Sequence, residues 1–252
     1  MSSHASISAD IPIENPTGLR RLWLVLKHAT RVALLPWPRY TFHDLATIQD
    51  AVDGPRFKQM TTRMSESDEG LSILREKPEL SIESIDWRYL SSLPTDSFGY
   101  NVWHHFHSHH LLEPVHLGQS IFHWGESTEY AKDRFRKTHD FRHVLLGVGI
   151  RGQDEVLVNV VQASQDPLIL SFMISLIGGI KHSVPRPLLL LNGMWRAWRT
   201  GREAEYLPSV FFEEYWEWSL SELRTRLNIE PVGSAYPPPS RHPDAIPCRD
   251  VA

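Results

Sequence analysis

The sequence is poor in cysteine, in net charge and in long apolar runs. Cys248 is the only cysteine among 252 residues, which excludes a disulfide framework and a thiolate metal cage and favours a reducing compartment. The formal net charge of −4 offers no basic balance for nucleic acid, so no nucleic-acid partner is expected. The most apolar stretch, residues 167–180, is too short to cross a bilayer, which needs about 20 apolar residues.

The N-terminal residues lack the features of a targeting segment. Residues 1–17 are polar, carry Asp10 and Glu14 and contain no apolar core, so a secretory signal is not expected. The first arginine is Arg20, which also makes the segment a poor mitochondrial presequence. We expect a flexible extension over 1–18, a helical domain over 19–229 and a Pro-rich, disordered tail over 230–252.

Strand-like alternation is almost absent, which predicts an all-α, single-domain multi-helix bundle. Thr41 and Asp96 are predicted N-caps. Proline, glycine and polar clusters divide the chain into predicted helices at 19–35, 41–52, 56–64, 69–76, 84–90, 97–111, 126–146, 153–162, 167–182, 186–201 and 208–227. In the last of these, one buried stripe is predicted from Trp216, Leu220, Leu223 and Leu227.

One pattern points to chemistry, namely H-D-x-x-H-x11-E, formed by His139, Asp140, His143 and Glu155. Two histidines four positions apart on a helix are offset by about 40°, so both can reach one ion, and Asp140 lies within an arc of about 100° with them. Along an unbroken helix Glu155 would lie about 18 Å from His143. The three glycines between 147 and 152 instead predict a turn, after which a second helix can bring Glu155 back.

Two histidines with carboxylates suit Zn²⁺ or Fe²⁺, whereas Mg²⁺ would require more oxygen ligands. The alternative is a histidine pair that shares a helix face by chance. A second group of histidines is predicted to form a solvated polar face rather than another metal site: His104, His105, His107, His109 and His110. Arg134 and Arg136 precede the motif and either reach an anionic substrate or are solvated surface charges.

Three segments carry a resemblance to a known family. They are RFRKTHDFRHVLLG at 134–147, ILREKP at 73–78 with SSLP at 91–94 and Phe98-Gly99, and Trp216-Glu217 with LR at 223–224 and LNI at 227–229. They resemble the HD, H and E core motif, the "LxERP…SLPxGSLG" segment and the "WExxLxxLRxxLGI" helix of the coenzyme Q biosynthesis protein four family. The resemblance covers about residues 20–230 in the same order, which is more specific than any one motif.

The resemblance implies an all-helical, zinc-dependent protein at a membrane surface, with an apolar groove or tunnel for a polyprenyl tail. It implies a carbon-carbon lyase that decarboxylates 4-hydroxy-3-methoxy-5-polyprenylbenzoate at C1 in ubiquinone synthesis, in some accounts with hydroxylation of the same carbon. The metal ligands and catalytic residues would be His139, Asp140, His143 and Glu155. Zn²⁺ is the implied ion, and Fe²⁺ would be more natural if oxygen takes part, because zinc has no redox chemistry.

The implied partners are a polyprenylated aromatic lipid, other ubiquinone-biosynthesis proteins and the membrane surface, and a homodimer is left open. The implied location is peripheral, on the cytoplasmic face of the inner membrane in a bacterium or on the matrix side of the mitochondrial inner membrane in a eukaryote. Residues 168–180 and 188–191 are candidate walls for the polyprenyl tail, although core packing explains them equally well.

The sequence departs from the family pattern at three places. Asp154 and Asn228 replace glycines, and the histidine-rich stretch after Gly99 is not typical. Asp154 is expected to raise the negative charge near the ion.

Two other functions remain open. One is a non-catalytic lipid-binding scaffold with a structural metal. The other is a zinc hydrolase, because HDxxH resembles the HExxH of zinc proteases. A vacant coordination position facing an apolar tunnel would favour catalysis, and a closed four-ligand site a scaffold.

Overall fold

The computed structural model describes residues 15–34, 42–112, 122–183 and 186–234, and these residues form a single helical domain without a β-strand. The helices are α1 Gly18–Leu34, α2 Phe42–Met64, α3 Asp68–Glu76, α4 Trp87–Ser92, α5 Phe98–Ser108, α6 Glu126–Lys137, α7 His139–Leu146, α8 Gly152–Gln165, α9 Ile169–Met173, α10 Gly179–Ser183, α11 Pro187–Glu203 and α12 Leu220–Arg226. A π-helical turn, Ile174–Gly178, joins α9 to α10, and the 3₁₀ turns Leu207–Ser209 and Phe212–Glu214 precede α12.

The all-α prediction is therefore confirmed. Most of the predicted extension over 1–18 and of the tail over 230–252 lies outside the described residues, as do Thr41 and Cys248. Within the described ranges, no helix combines the length and the apolar character that a membrane crossing requires.

The predicted break between 52 and 56 is wrong, because α2 runs through Pro55 without interruption. Proline has no N–H, so the carbonyl of Ala51 loses its helical partner. Arg21 of α1 replaces that partner, with Nε donating to the Ala51 oxygen at 2.5 Å. A neighbouring helix thus satisfies the group that would otherwise make an internal proline costly.

The predicted helix over 126–146 is two helices, and the break falls at Thr138. Thr138 has φ −87° and ψ 6°, and its hydroxyl donates to the Arg134 carbonyl at 2.9 Å. The carbonyl of Phe135, freed by the break, accepts from Nη1 of the fully buried Arg142 at 3.2 Å. The bend makes His139 the first residue of α7.

The predicted helix over 208–227 is also wrong except for its last part, α12. Ser219 stops the helix from extending further towards the N-terminus, because its hydroxyl accepts from Glu222 N at 3.2 Å while Glu222 accepts from Ser219 N at 3.1 Å. Of the predicted stripe, Leu223 and Leu227 are buried and Trp216 stacks on Phe98 at 5.4 Å.

The residues at two helix ends, the start of α5 and the end of α12, were singled out in the sequence. Ser97, not the predicted Asp96, caps α5 by accepting from Tyr100 N at 3.1 Å. Asp96 instead accepts from Leu220 N through its carbonyl at 2.8 Å. Asn228 has φ 52°, a left-handed conformation that asparagine tolerates better than most residues, which explains why the family pattern has glycine there.

The largest core cluster surrounds α7 and α8. It contains buried side chains from six helices, for example Leu90, Phe98, Phe141, Leu157, Leu190 and Leu223. Burying each such side chain contributes about 1.5–3 kcal/mol, so the backbone of α7 and α8 is held firmly in place. A site between α7 and α8 therefore lies against the largest core cluster of the described residues.

A carboxylate of α2 caps α9, and it yields a prediction about stability. Asp53 is fully buried and accepts from Ile169 N at 2.6 Å and from Leu170 N at 3.1 Å. Replacing Asp53 with alanine leaves both N–H groups unpaired, so the free energy of unfolding should fall by about 1–3 kcal/mol in urea titrations. The control Asp53→Asn keeps one acceptor oxygen and should lose less, whereas an alanine variant as stable as the parent would contradict this capping role.

Candidate metal centre

The turn between α7 and α8 brings the predicted motif together. α7 ends at Leu146 and is followed by Gly147, whose φ of 66° is a left-handed conformation that glycine adopts without strain. α8 begins at Gly152, one residue earlier than predicted, and places Glu155 in its first turn. The predicted reversal of the chain is thereby confirmed.

Three of the four predicted residues form one group. Glu155 Oε2 lies 3.2 Å from His139 Nε2, and Glu155 Oε1 lies 3.4 Å from His143 Nε2. The two Nε2 atoms are 3.2 Å apart. Ligand atoms around a tetrahedral zinc with bonds of about 2.0 Å are about 3.3 Å apart, so the donor set fits such an ion.

Outer contacts orient both imidazoles. His143 is fully buried, and its Nδ1 lies 2.7 Å from the Gly149 carbonyl, to which it donates, so that Nε2 keeps a lone pair for a metal. The amide of Gln162 lies 3.0 Å from His139 Nδ1 and 3.1 Å from the Ser171 hydroxyl. A metal-bound His139 would carry its proton on Nδ1, so Gln162 would present its oxygen to the ring and its NH₂ to Ser171.

The three groups also stabilise one another electrostatically. Burial opposes ionisation of Glu155, but hydrogen bonding and charge interaction with His139 and His143 hold its pKa well below the usual range. Burial likewise opposes protonation of His143, but Glu155, Asp140 and the Gly149 carbonyl raise its pKa. A carboxylate that stays ionised beside histidines attracts positive charge, and a divalent ion can replace the protons that otherwise supply it.

Asp140 lies beside this group rather than in it. The ligand atoms that lie within 4.8 Å of one another belong only to His139, His143 and Glu155 among the described residues. Asp140 Oδ1 instead lies 3.7 Å from His105 Nε2. Burial would raise the pKa of Asp140, but His105 and the motif histidines lower it, so the carboxylate is ionised. Its assignment as a ligand stays a prediction.

The histidine-rich stretch is only partly the solvated face that its composition suggested. His104, His107 and His110 are exposed, and His109 is half-buried. His105 is 7% exposed, and its ring centroid lies 5.6 Å from that of His143, so the prediction is wrong at this position. A sequence signal existed, because position 105 follows the buried apolar positions Phe98 and Val102 at helical spacing.

The arginines that precede the motif serve the architecture. Arg134 is buried, and its two terminal nitrogens donate to the Glu213 carboxylate at 2.7 and 2.8 Å. Arg136 donates to Gln49 at 2.8 Å and to Asp50 at 2.6 Å. Both guanidinium groups join α6 to other parts of the chain, and neither is the solvated surface charge or the substrate-facing group considered from the sequence.

Asp154 also has a structural role that its position did not reveal. Its carboxylate accepts from Arg151 N at 3.3 Å and from the Ser234 hydroxyl at 2.7 Å. It thus caps the start of α8, where a negative charge is favourable. The negative charge of Asp154 therefore interacts with the N-terminus of α8 rather than with the neighbouring Glu155.

Comparisons with known proteins confirm the family resemblance. The family profile described as Coenzyme Q (ubiquinone) biosynthesis protein Coq4 matches residues 14–233. The "Ubiquinone biosynthesis protein COQ4 homolog 1, mitochondrial" of Culex quinquefasciatus is 31% identical over 215 residues, which are 85% of this chain and 76% of the relative. The "Ubiquinone biosynthesis protein COQ4 homolog, mitochondrial" of Bos taurus is 32% identical over 190 residues, or 74% and 71%.

The fold has a counterpart among solved structures. A crystal structure from Nostoc punctiforme, named for ubiquinone biosynthesis, superposes with a TM-score of 0.63 over 82% of this chain and 95% of that chain. Its sequence is 19% identical, so this likeness bears on the fold alone.

The cluster makes a direct prediction about metal binding. Replacing Glu155 or His139 with alanine removes one of three clustered donors, so Zn²⁺ affinity should fall at least about 100-fold, since losing an outer partner alone costs 10–100-fold. Zn²⁺ titration against a chelating dye measures the affinity, and far-ultraviolet circular dichroism should stay unchanged. The exposed Glu83 offers a matched control, since Glu83→Ala should bind as the parent does. Equal affinity in the Glu155 and Glu83 variants would remove the cluster from consideration.

Proposed function

The chain belongs to the Coq4 family of coenzyme Q (ubiquinone) biosynthesis proteins, and on that premise we propose that it is a carbon-carbon lyase that decarboxylates 4-hydroxy-3-methoxy-5-polyprenylbenzoate at C1 with a bound Zn²⁺ or Fe²⁺. The observation that carries the proposal is the separation of 3.2–3.4 Å among the donors of His139, His143 and Glu155. The side chains of His139 and Glu155 are 28% and 38% exposed, so the group opens to the outside and leaves room for a substrate.

The reaction replaces the C1 carboxyl group by a proton, and it needs an electrophile at that carbon and a place for negative charge. A divalent ion held by His139, His143 and Glu155 would supply a Lewis acid for the substrate carboxylate or phenolate. Gly149 and Gln162 fix the rings that hold it, through the Nδ1 atoms of His143 and His139. Asp140 brings a further ionised carboxylate, which we assign to the ligand set as the motif implies. If oxygen is the electrophile, one atom of O₂ would enter C1 as a hydroxyl group as CO₂ leaves, and the other would leave as water after reduction by an external two-electron donor. Fe²⁺ would suit that reaction better than Zn²⁺.

An apolar surface near the centre supports a lipid substrate. We name it the apolar face and define it by Phe172, Leu176, Ile177, Ile180, Leu188, Leu191 and Trp195, which are each 53–79% exposed. These residues lie on the α9 to α10 segment and on α11, which contact each other where Gly179 faces Met194. Ser171 of α9 touches Gln162, which touches His139, so the apolar face adjoins the metal centre.

The candidate walls for the polyprenyl tail are thus divided between core and surface. Leu168 and Leu190 are fully buried and belong to the core, whereas most of their apolar neighbours are exposed. Exposed apolar patches of this kind mark membrane or partner sites. Trp195 and the exposed Lys181 add the aromatic and basic side chains that favour a lipid interface. We assign the apolar face to a membrane surface and to the prenyl tail of the substrate.

The location and the protein partners follow from the same premise. The relatives from Culex quinquefasciatus and Bos taurus are named mitochondrial. We propose peripheral attachment on the matrix side of the mitochondrial inner membrane in a eukaryote, or on the cytoplasmic face of the inner membrane in a bacterium. Other ubiquinone-biosynthesis proteins are the proposed partners, because each lipid intermediate must pass between enzymes, and a homodimer is compatible with this arrangement.

A scaffold function is the second candidate, because the three donors come from two helices that a structural ion would tie together. The zinc hydrolase has less support. In HExxH the residue after the first histidine is the base, and here that residue, Asp140, lies beside His105.

The central test is an assay with a short-tailed prenylated 4-hydroxy-3-methoxybenzoate, with Zn²⁺-loaded or Fe²⁺-loaded protein, in the presence and absence of oxygen. Mass spectrometry should show a ring product that has lost CO₂, with a hydroxyl group in its place if the reaction is oxidative. Glu155→Ala should reduce the rate to background, and Glu83→Ala should not change it. Substrate that binds the metal-loaded protein but stays intact under all conditions would favour the scaffold.

The apolar face predicts binding to lipid vesicles. A charged double variant, Leu176→Glu with Ile177→Glu, should lower the fraction that co-sediments with anionic vesicles at least about tenfold, because burying each side chain contributes about 1.5 kcal/mol. Tyr89→Glu places one charge at an exposed position of α4 and should bind as the parent does. Undiminished binding of the double variant would place the membrane contact elsewhere.

A further inference from the structure

The Nε2 atom of His105 is buried and makes no hydrogen bond within the described part of the chain. The side chain as a whole is 8% exposed. Buried ring nitrogens usually donate or accept, because an unpaired polar group in the interior is costly. The exposed His104 on the same helix has no such constraint. The buried Nε2 of His105 is therefore available for one further hydrogen bond.

The group that this nitrogen faces is the carboxylate of Asp140, at 3.7 Å. That distance is longer than a hydrogen bond and short enough to become one through a small rotation of either side chain. The His105 ring also lies 5.6 Å from the ring of His143 and 4.9 Å from that of His109. His105 thus stands between the histidine-rich helix α5 and the metal-binding helix α7.

We infer that His105 is a positioning residue of the metal centre, whose Nε2–H holds the Asp140 carboxylate beside His139, His143 and Glu155. Carboxylate ligands are themselves hydrogen-bonded in metal sites, and such outer partners set their orientation. We assign His105 to Asp140 rather than to the ion, because its Nε2 faces the Asp140 carboxylate at 3.7 Å, and because Asp140 belongs to the H-D-x-x-H-x11-E pattern whereas His105 does not.

The inference rests on the proposed metal centre and extends it to a residue on another helix. α5 would then contribute to the site that α7 and α8 form.

Cobalt provides a test that does not depend on catalysis. The full chain is titrated with Co²⁺ as parent, His105→Phe, His105→Gln and His104→Phe, and the visible absorption bands and the affinity are recorded. His105→Phe should weaken Co²⁺ binding about 10–100-fold and shift the bands, because Asp140 loses its support. His105→Gln retains an N–H donor and should restore both. His104→Phe makes the same change on the exposed side of α5 and should match the parent.

A double-variant cycle completes the test. Asp140→Asn alone should weaken Co²⁺ binding at least as much as His105→Phe, and adding His105→Phe to it should cost little more, since His105 acts through the Asp140 carboxylate. A folded His105→Phe protein with the parent spectrum and affinity, or fully additive losses in the double variant, would overturn the role of His105 alone. A parent protein that binds no Co²⁺ or Zn²⁺ would overturn the proposed metal centre itself.

Discussion

The antiparallel return of α8 onto α7 is the constraint on which the site depends. Gly147 ends α7 in a left-handed conformation, and Gly149 turns its carbonyl towards His143 Nδ1 at 2.7 Å. Buried side chains such as Phe141 and Leu157 then hold the two helices in the core. Because the backbone of both helices is fixed by packing, Glu155 lies beside His139 and His143.

Buried charges around the site support this geometry. Arg134 joins Glu213, Arg136 joins Asp50, and Arg142 occupies the interior beside the break at Thr138. Burial lowers the pKa of Arg142 to about 10, yet it stays charged at neutral pH and donates to the Phe135 carbonyl. These contacts satisfy the backbone where α6 gives way to α7. The basic residues around the motif therefore set the direction of α7, on which both histidines lie.

The candidate metal centre and the apolar face are joined by a short polar path. Ser171, Gln162 and His139 are linked by contacts of 3.1 and 3.0 Å, from the apolar segment at one end to the donor group at the other. A substrate with a polar ring and a long apolar tail requires both surfaces side by side. This neighbourhood is a physical reason for assigning an amphipathic lipid, rather than a water-soluble acid, to the site.

The sequence by itself determined the all-α class, the grouping of His139, His143 and Glu155, and the reversal at the glycine turn, because these depend on local periodicity and on backbone conformations that only particular residues adopt. The sequence predicted a helix break near Pro55 that does not exist, since Arg21 of another helix supplies the missing hydrogen bond. It also missed the break at Thr138, where Arg142 of the following helix bonds the Phe135 carbonyl. Only the tertiary structure decided the partners of Arg134 and Asp154 and the burial of His105 beside Asp140. A side chain's partner depends on which helices pack together, and that information is distributed over the whole core rather than held in any local pattern.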